Sequence, residues 1–377
     1  MSIASSRAAD RARIAEIEAQ ILSLKQSILH LEAEKLRTQE RLDSYAYPIL
    51  TLPGEITAEI FMKVVPVYPS PSPLTGLLSP TTLTHVCHEW REIDLSMPAL
   101  WRAILCPDDS LDTDAATLCI LESWLNRSGC LPLSISMEYI WNFLPDEFVV
   151  ALVLHRARWE YVTLAVFSER TVHTLQGAMP LLRQFEIRID GEERPLSPVR
   201  FSQVPRLRSV TLWEFDGPTD ILPWSQLTSL TSIFVIECLG PILKRAVNLV
   251  HCHLVLCGRQ DLVPDIRLPA LESLVLTPFV ESDIPAPHFL TTLITLSLRS
   301  REVSDRFLQS DPIVLLNSFI SKSGCRLQRL CITGDTPSIS EEAYRFSISI
   351  PEVSFDRSLK DFDSYEKTLT RRRYDVL

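Results

Sequence analysis

The 377-residue sequence contains no P-loop, no G-x-G-x-x-G, no G-x-S-x-G and no H-E-x-x-H. The commonest signatures of phosphate, dinucleotide, acyl-transfer and zinc-hydrolase chemistry are therefore missing. None of the nine cysteines stands in a C-x-x-C pair. Scattered in this way, they read as reduced thiols, which points to cytoplasm or nucleus. Positive charge is not in excess: the net charge of −10 argues against a nucleic-acid binder. Long apolar runs are absent too. The longest, Phe148 to Leu154, is far too short to span a bilayer, and Met1 to Arg7 has no signal-like apolar region. Asn126-Arg127-Ser128 is a formal glycosylation sequon, expected to be silent without such a signal. No cofactor and no catalytic residue is expected.

What is present begins with a stretch free of glycine and proline. Residues 7–45 read as one long helix. Heptad position a falls at Ile14, Ile21, Ile28, Lys35 and Leu42, and position d at Ile17, Leu24, Leu31, Thr38 and Tyr45. Three apolar heptads thus precede a polar break. Such a coiled-coil helix either packs on its own chain or pairs with a second copy through residues 14–31, and the pattern leaves both open.

Residues 49–104 come next. Leu52-Pro53 suits a helix start, and Ile56, Ile60, Phe61 and Val64 follow at helical spacing. Ser79-Pro80 starts a second helix, with Leu83, Val86, Cys87, Trp90 and Ile93 on its stripe. Leu100, Trp101 and Ile104 begin a third short segment after Met97-Pro98. Three short helices make a marginal core that a partner surface would complete. The order Leu-Pro-x-Glu-Ile-x-x-x-Ile-Phe, Val-Cys-x-x-Trp-Arg, Pro-x-Leu-Trp resembles the F-box. The resemblance implies a three-helix fold docked on the Skp-type adaptor of a cullin-based ubiquitin ligase. Leu52, Pro53, Ile56, Ile60, Phe61, Trp90, Leu100 and Trp101 are its expected adaptor contacts.

One departure from that family is the linker Pro66 to Pro80, which is longer and holds five prolines. It is expected to be extended and solvated, adding no packed layer. Ser70, Ser72 and Ser79 each precede proline, the pattern that a proline-directed kinase needs, although most such pairs are loop punctuation.

From residue 113 the periodicity alternates between helix and strand. Helices are expected over Ala115–Arg127 and Asp146–Arg156, with strands near Leu131–Ile135 and Tyr161–Val166. An apolar-x-x-apolar-x-apolar pattern then recurs from Trp159, Leu182, Leu207, Leu230, Leu249, Leu271, Leu293 and, after a helix-like stretch from Val314 to Ser321, Leu327. Its starts are 19–25 residues apart, with 34 before the last, and look like leucine-rich repeats without a regular asparagine ladder. The fold class expected is therefore mixed α and β: a long N-terminal helix, a three-helix F-box, and a leucine-rich-repeat-like solenoid over residues 113–350. Arg345–Ile350 reads as one more strand, and 351–377 as a frayed or weakly helical tail.

In the repeat pattern the first, fourth and sixth positions face the core. Trp213, Phe234, His253, Val275, Arg299 and Arg329 then fall on the opposite side, where Trp213, Phe234 and His253 would occupy neighbouring rows. Aromatic and cationic groups on one exposed face fit a protein target. His251, Cys252, His253 and Cys257 are close in sequence, but one strand cannot turn them all toward a single ion. The expected function is a non-catalytic substrate-recruiting subunit that binds the adaptor, the cullin ligase and an unidentified protein. The alternative is a scaffold without a ligase role.

Overall fold

The structure, a computed structural model, describes residues 3–44, 51–106, 115–137, 144–166, 173–189, 200–213, 220–233, 239–256, 266–278, 293–296, 300–304, 312–333, 341–347 and 350–356. It is a mixed helix-and-strand protein with a long N-terminal helix and a parallel sheet. The chain divides into two units, Met1–Thr57 and Ala58–Leu377.

Helix α1 (Ile3–Asp43) runs for 41 residues without interruption. The missing glycine and proline explain its length, and every side chain from Ser6 to Ser44 is exposed. Helix α2 (Gly54–Val64) follows Pro53, whose carbonyl accepts from the amides of Ile56 and Thr57.

The element read as one second helix is two. Ser79 caps a 3₁₀ segment, Pro80–His85, by accepting from the Thr81 amide at 3.2 Å. Cys87 is extended, and its Sγ accepts from the Trp90 amide at 3.5 Å, starting α3 (His88–Leu95). Cys87 is thus a half-buried cap rather than a member of the helical stripe expected. The third segment is not a helix beyond one 3₁₀ turn, Pro98–Leu100. The chain then extends into strand β2 (Ala103–Cys106), where β-branched Ile104 is fully buried.

Among the described residues the main sheet has twelve strands, and every pairing is parallel. Strand β1 (Ser72–Pro73) lies at one edge. Next come β2, β3 (Leu133–Met137), β4 (Trp159–Val166), β5 (Gln184–Ile189), β6 (Ser209–Trp213), β7 (Ser229–Ile233) and β8 (His251–Leu256). Beyond them lie β10 (Ser273–Pro278), β12 (Ser300–Ser304), β13 (Arg329–Thr333) and β14 (Glu352–Asp356). A separate pair is made by β9 (Ile266–Leu268) and β11 (Leu293–Leu296). Between strands run α4 (Ala115–Arg127), α5 (Asp146–Val153), α6 (Leu239–Arg245), α7 (Pro312–Ser323) and α8 (Glu341–Ser347). Gly129, at φ +58°, supplies the left-handed turn that ends α4.

In-register partners stack Ile104, Ile135, Val162, Phe185, Val210, Leu230, Cys252 and Leu274 into one buried ladder. Leu164, Ile187 and Leu212 begin a second, which buried Ser232 interrupts before Leu254 and Leu276. One hydrophobic cluster runs from Phe61 to Ile332.

Four expectations are corrected. The repeat expected from Leu230 starts three residues earlier: Leu227 takes the first position, Leu230 pairs with Val210, and Ser232 fills the sixth. The strand beginning at Leu293 pairs with β9 instead of joining the main sheet, where β12 takes its place. Residues 341–347 are helical, and the last strand, Glu352–Asp356, lies in the segment expected to be a tail. Finally, the proline-rich linker does add structure. Ser72 and Pro73 pair with Ile104 and Leu105, and Leu74 is buried. Proline lacks the amide that a central strand needs, which suits this edge position.

Candidate binding surfaces

Helix α2 separates the expected adaptor residues into two kinds. Phe61 is fully buried and packs edge-on against Trp90, with ring centroids 5.0 Å apart. Leu100 and Trp101 are buried as well, and the Trp101 indole donates to the Asp94 carbonyl at 3.2 Å. These three are core residues and offer no contact surface, and Trp90 is half-buried against the same core. Leu52 is half-buried and Pro53 exposed. Ile56 and Ile60 are 49% and 38% exposed, and Val64, one turn further on, is 45% exposed. The spacing of four puts these three on one apolar stripe of α2. Val64 falls on the stripe by the same period but is not among the expected contacts.

The linker is held down by a polar cluster. Tyr68 donates to Glu160 Oε2 at 2.9 Å, and Arg183 Nε meets Glu160 Oε1 at 2.8 Å. The Arg102 guanidinium lies 3.8 Å above the Tyr68 ring, and Tyr161 packs against its edge. Burial first, then the bond to Glu160, pushes the Tyr68 hydroxyl well above its ordinary range, so it stays a donor. Ser134 Oγ donates to the Pro69 carbonyl at 2.6 Å. Ser72 and Ser79 are buried, and Ser79 Oγ also donates to the Leu74 carbonyl at 3.0 Å. Neither serine is accessible to a kinase in the folded chain.

The sheet face opposite the core ladders differs most from expectation. Trp213 is fully buried and cannot grip a target. Its indole Nε1 donates to Glu186 Oε1 at 2.7 Å, and Glu186 also accepts from Thr163 Oγ1 at 3.3 Å. Register sets Trp213 in a row with Arg188, Ile233 and Val255, all buried. His253 belongs to another row, with Thr211, Thr231 and Val275, all half-buried. A third row holds Gln184, Ser209, Ser229, His251 and Ser273, with exposed Arg329 further along beyond Ser300. Phe234 and Arg299 lie outside the described residues. The accessible strip is therefore one of small hydroxyls and imidazoles, not of aromatics. No expected motif marks it, because serine and threonine at alternate strand positions look like ordinary solvent-facing residues.

Strand β8 divides the His/Cys group as alternation requires. Cys252 is buried on the core side, its thiol pushed up to about 12 by burial, while His251 and His253 point the other way. Cys257 lies outside the described residues. Among the described residues no group of three or more His, Cys, Asp or Glu side chains is placed to hold a metal ion. Nor is any described helix long and apolar enough to cross a membrane.

A buried acid remains. Asp94, on α3, is fully buried and neither of its carboxylate oxygens has a hydrogen-bond partner among the described residues. Burial pushes its carboxyl up to about 7, against the pull of Arg127. The Arg127 guanidinium lies 4.6 Å above the Trp101 ring.

No family model matches the chain, and no curated protein matches it.

Proposed function

We propose that this chain is a non-catalytic, substrate-recruiting subunit of a Skp–cullin–F-box-type ubiquitin ligase. The observation that carries the reading is the exposed stripe Ile56, Ile60 and Val64 on the helix of the Leu-Pro-x-Glu-Ile-x-x-x-Ile-Phe motif. Its neighbour Phe61 is buried, so the motif combines a core anchor with an unpartnered apolar face. Apolar stripes of this kind are what a helical adaptor groove covers. The module departs from a three-helix F-box in its split second helix and in a third segment that feeds the sheet. The parallel strands of the main sheet, which start 20 to 25 residues apart from β4 to β10 and carry stacked core positions, support a leucine-rich-repeat-like solenoid. Its target strip is the hydroxyl and histidine surface of β5 to β10, which hydrogen-bonds a polar peptide better than it anchors an apolar one.

The test is co-purification of the full chain with a Skp-type adaptor. Leu52→Ala with Pro53→Ala, and separately Ile60→Ser, should abolish capture without changing the circular dichroism. Full capture by both variants would leave the motif as a fold resemblance, and the chain as a scaffold.

A further inference from the structure

We propose that α1 pairs with α1 of a second copy of this chain as an antiparallel two-helix coiled coil, in one register centred between Leu22 and Ser23. The seam residues Ile14, Ile17, Ile21, Leu24, Ile28 and Leu31 are 41% to 63% exposed, on a helix whose described side chains are all exposed. A helix with this stripe gains most of its stability from packing it away.

Charge selects the direction. In a parallel, in-register pair, Arg7, Asp10 and Lys35 would each meet their own copy at an a or d position of the seam. In the antiparallel register Asp10 instead faces the partner's Lys35, and Arg7 faces the partner's Thr38. Ile14 then lies across from the partner's Leu31, Ile17 from the partner's Ile28, and Ile21 from the partner's Leu24. Each contact occurs twice by symmetry.

The flanking positions agree. Arg11 reaches the partner's Glu32, Arg13 the partner's Glu34, and Glu18 the partner's Lys25, while Gln20 faces the partner's Ser27. No like-charged pair arises. In the single copy Arg13 is already paired within the helix, to Glu16 at 2.6 Å, and exchanges that exposed contact for Glu34 across the seam. Sliding by a heptad is penalised both ways. One direction sets Lys35 against the partner's Ile17, and the other sets Asp10 against the partner's Ile28. Leu22, Leu29 and Leu36 form a second exposed line, which a two-helix pair leaves on its flank.

The full chain should be a dimer by light scattering at micromolar concentration. Lys35→Glu turns the Asp10 contact repulsive at both ends and should weaken dimerisation about tenfold. Adding Asp10→Lys to Lys35→Glu should restore it, because the swapped charges attract again only when the helices run in opposite directions. Ile14→Cys and Leu31→Cys copies with different tags should form a mixed disulfide, mapped by peptide mass spectrometry. A monomer, a higher oligomer, a disulfide between two Ile14→Cys copies, or no rescue by the double swap would each overturn the proposal.

Discussion

The indole of Trp213 donates to the carboxylate of Glu186 at 2.7 Å, from one strand to the next, with both residues fully buried. A carboxylate out of water depends on such donors. Trp213→Phe, which keeps most of the volume and loses the N–H, should cost about 1–3 kcal/mol in urea unfolding. Trp213→Ala should cost about 3–5 kcal/mol. An unchanged midpoint for Trp213→Ala would return the tryptophan to the surface.

Adjacent residues of one helix should behave in opposite ways. Phe61→Ala removes a fully buried ring in contact with Trp90 and should lower stability by about 3–5 kcal/mol. Ile60→Ser changes an exposed side chain and should stay within about 0.5 kcal/mol of wild type. Comparable losses from the two would mean that Ile60 is packed.

Asp94 makes stability depend on pH. Its folded value of about 7 lies above the ordinary 3.8, so between those values the folded chain holds a proton that the unfolded chain releases. Stability is therefore highest at the acid end of this window and falls as pH rises through it, by roughly 2–4 kcal/mol from this group. His155 works the other way: burial and the nearby Arg158 lower its value, which favours the fold as pH rises through its titration. Asp94→Asn should flatten the acid-to-neutral decline and raise the melting temperature above pH 7. A parallel pH profile in wild type and variant would show that Asp94 does not titrate there.

Thiol reactivity should sort the cysteines. Cys119 and Cys130 are exposed and should be alkylated quickly near neutral pH. Cys106 and Cys252, each buried with its thiol pushed up to about 12, should react only after unfolding. Peptide mapping with and without urea reads this directly, and rapid labelling of Cys252 in the native chain would contradict its place in the ladder.

The sequence resolved long periodic elements and failed where two registers competed. The span of α1 and the full extent of α4 were legible because uninterrupted 3.6-residue periodicity ends at clear breakers such as Gly129. Around β7 both Leu227-x-x-Leu230-x-Ser232 and Leu230-x-x-Ile233-x-Val235 fit the template. The buried serine made the wrong one look better. Trp213 departs from expectation for a different reason. Alternation says that it opposes Leu212, but not that the opposite side of the sheet is itself covered at that row. Proline content speaks for extended backbone, and an edge strand is extended too, so composition does not separate a solvated linker from β1.

The order of strands in the sheet follows the order of the chain from β1 to β8, and breaks only where β9 and β11 interleave. Each of β2 to β8 therefore emerges during synthesis when the neighbour it must hydrogen-bond has already been made. The fold can accrete from the N-terminal edge, one strand at a time, without waiting for a distant partner to close it. A chain stalled after β8 would present an ordered but open final strand. Interruption should then leave a truncated sheet with a sticky edge rather than an unstructured coil.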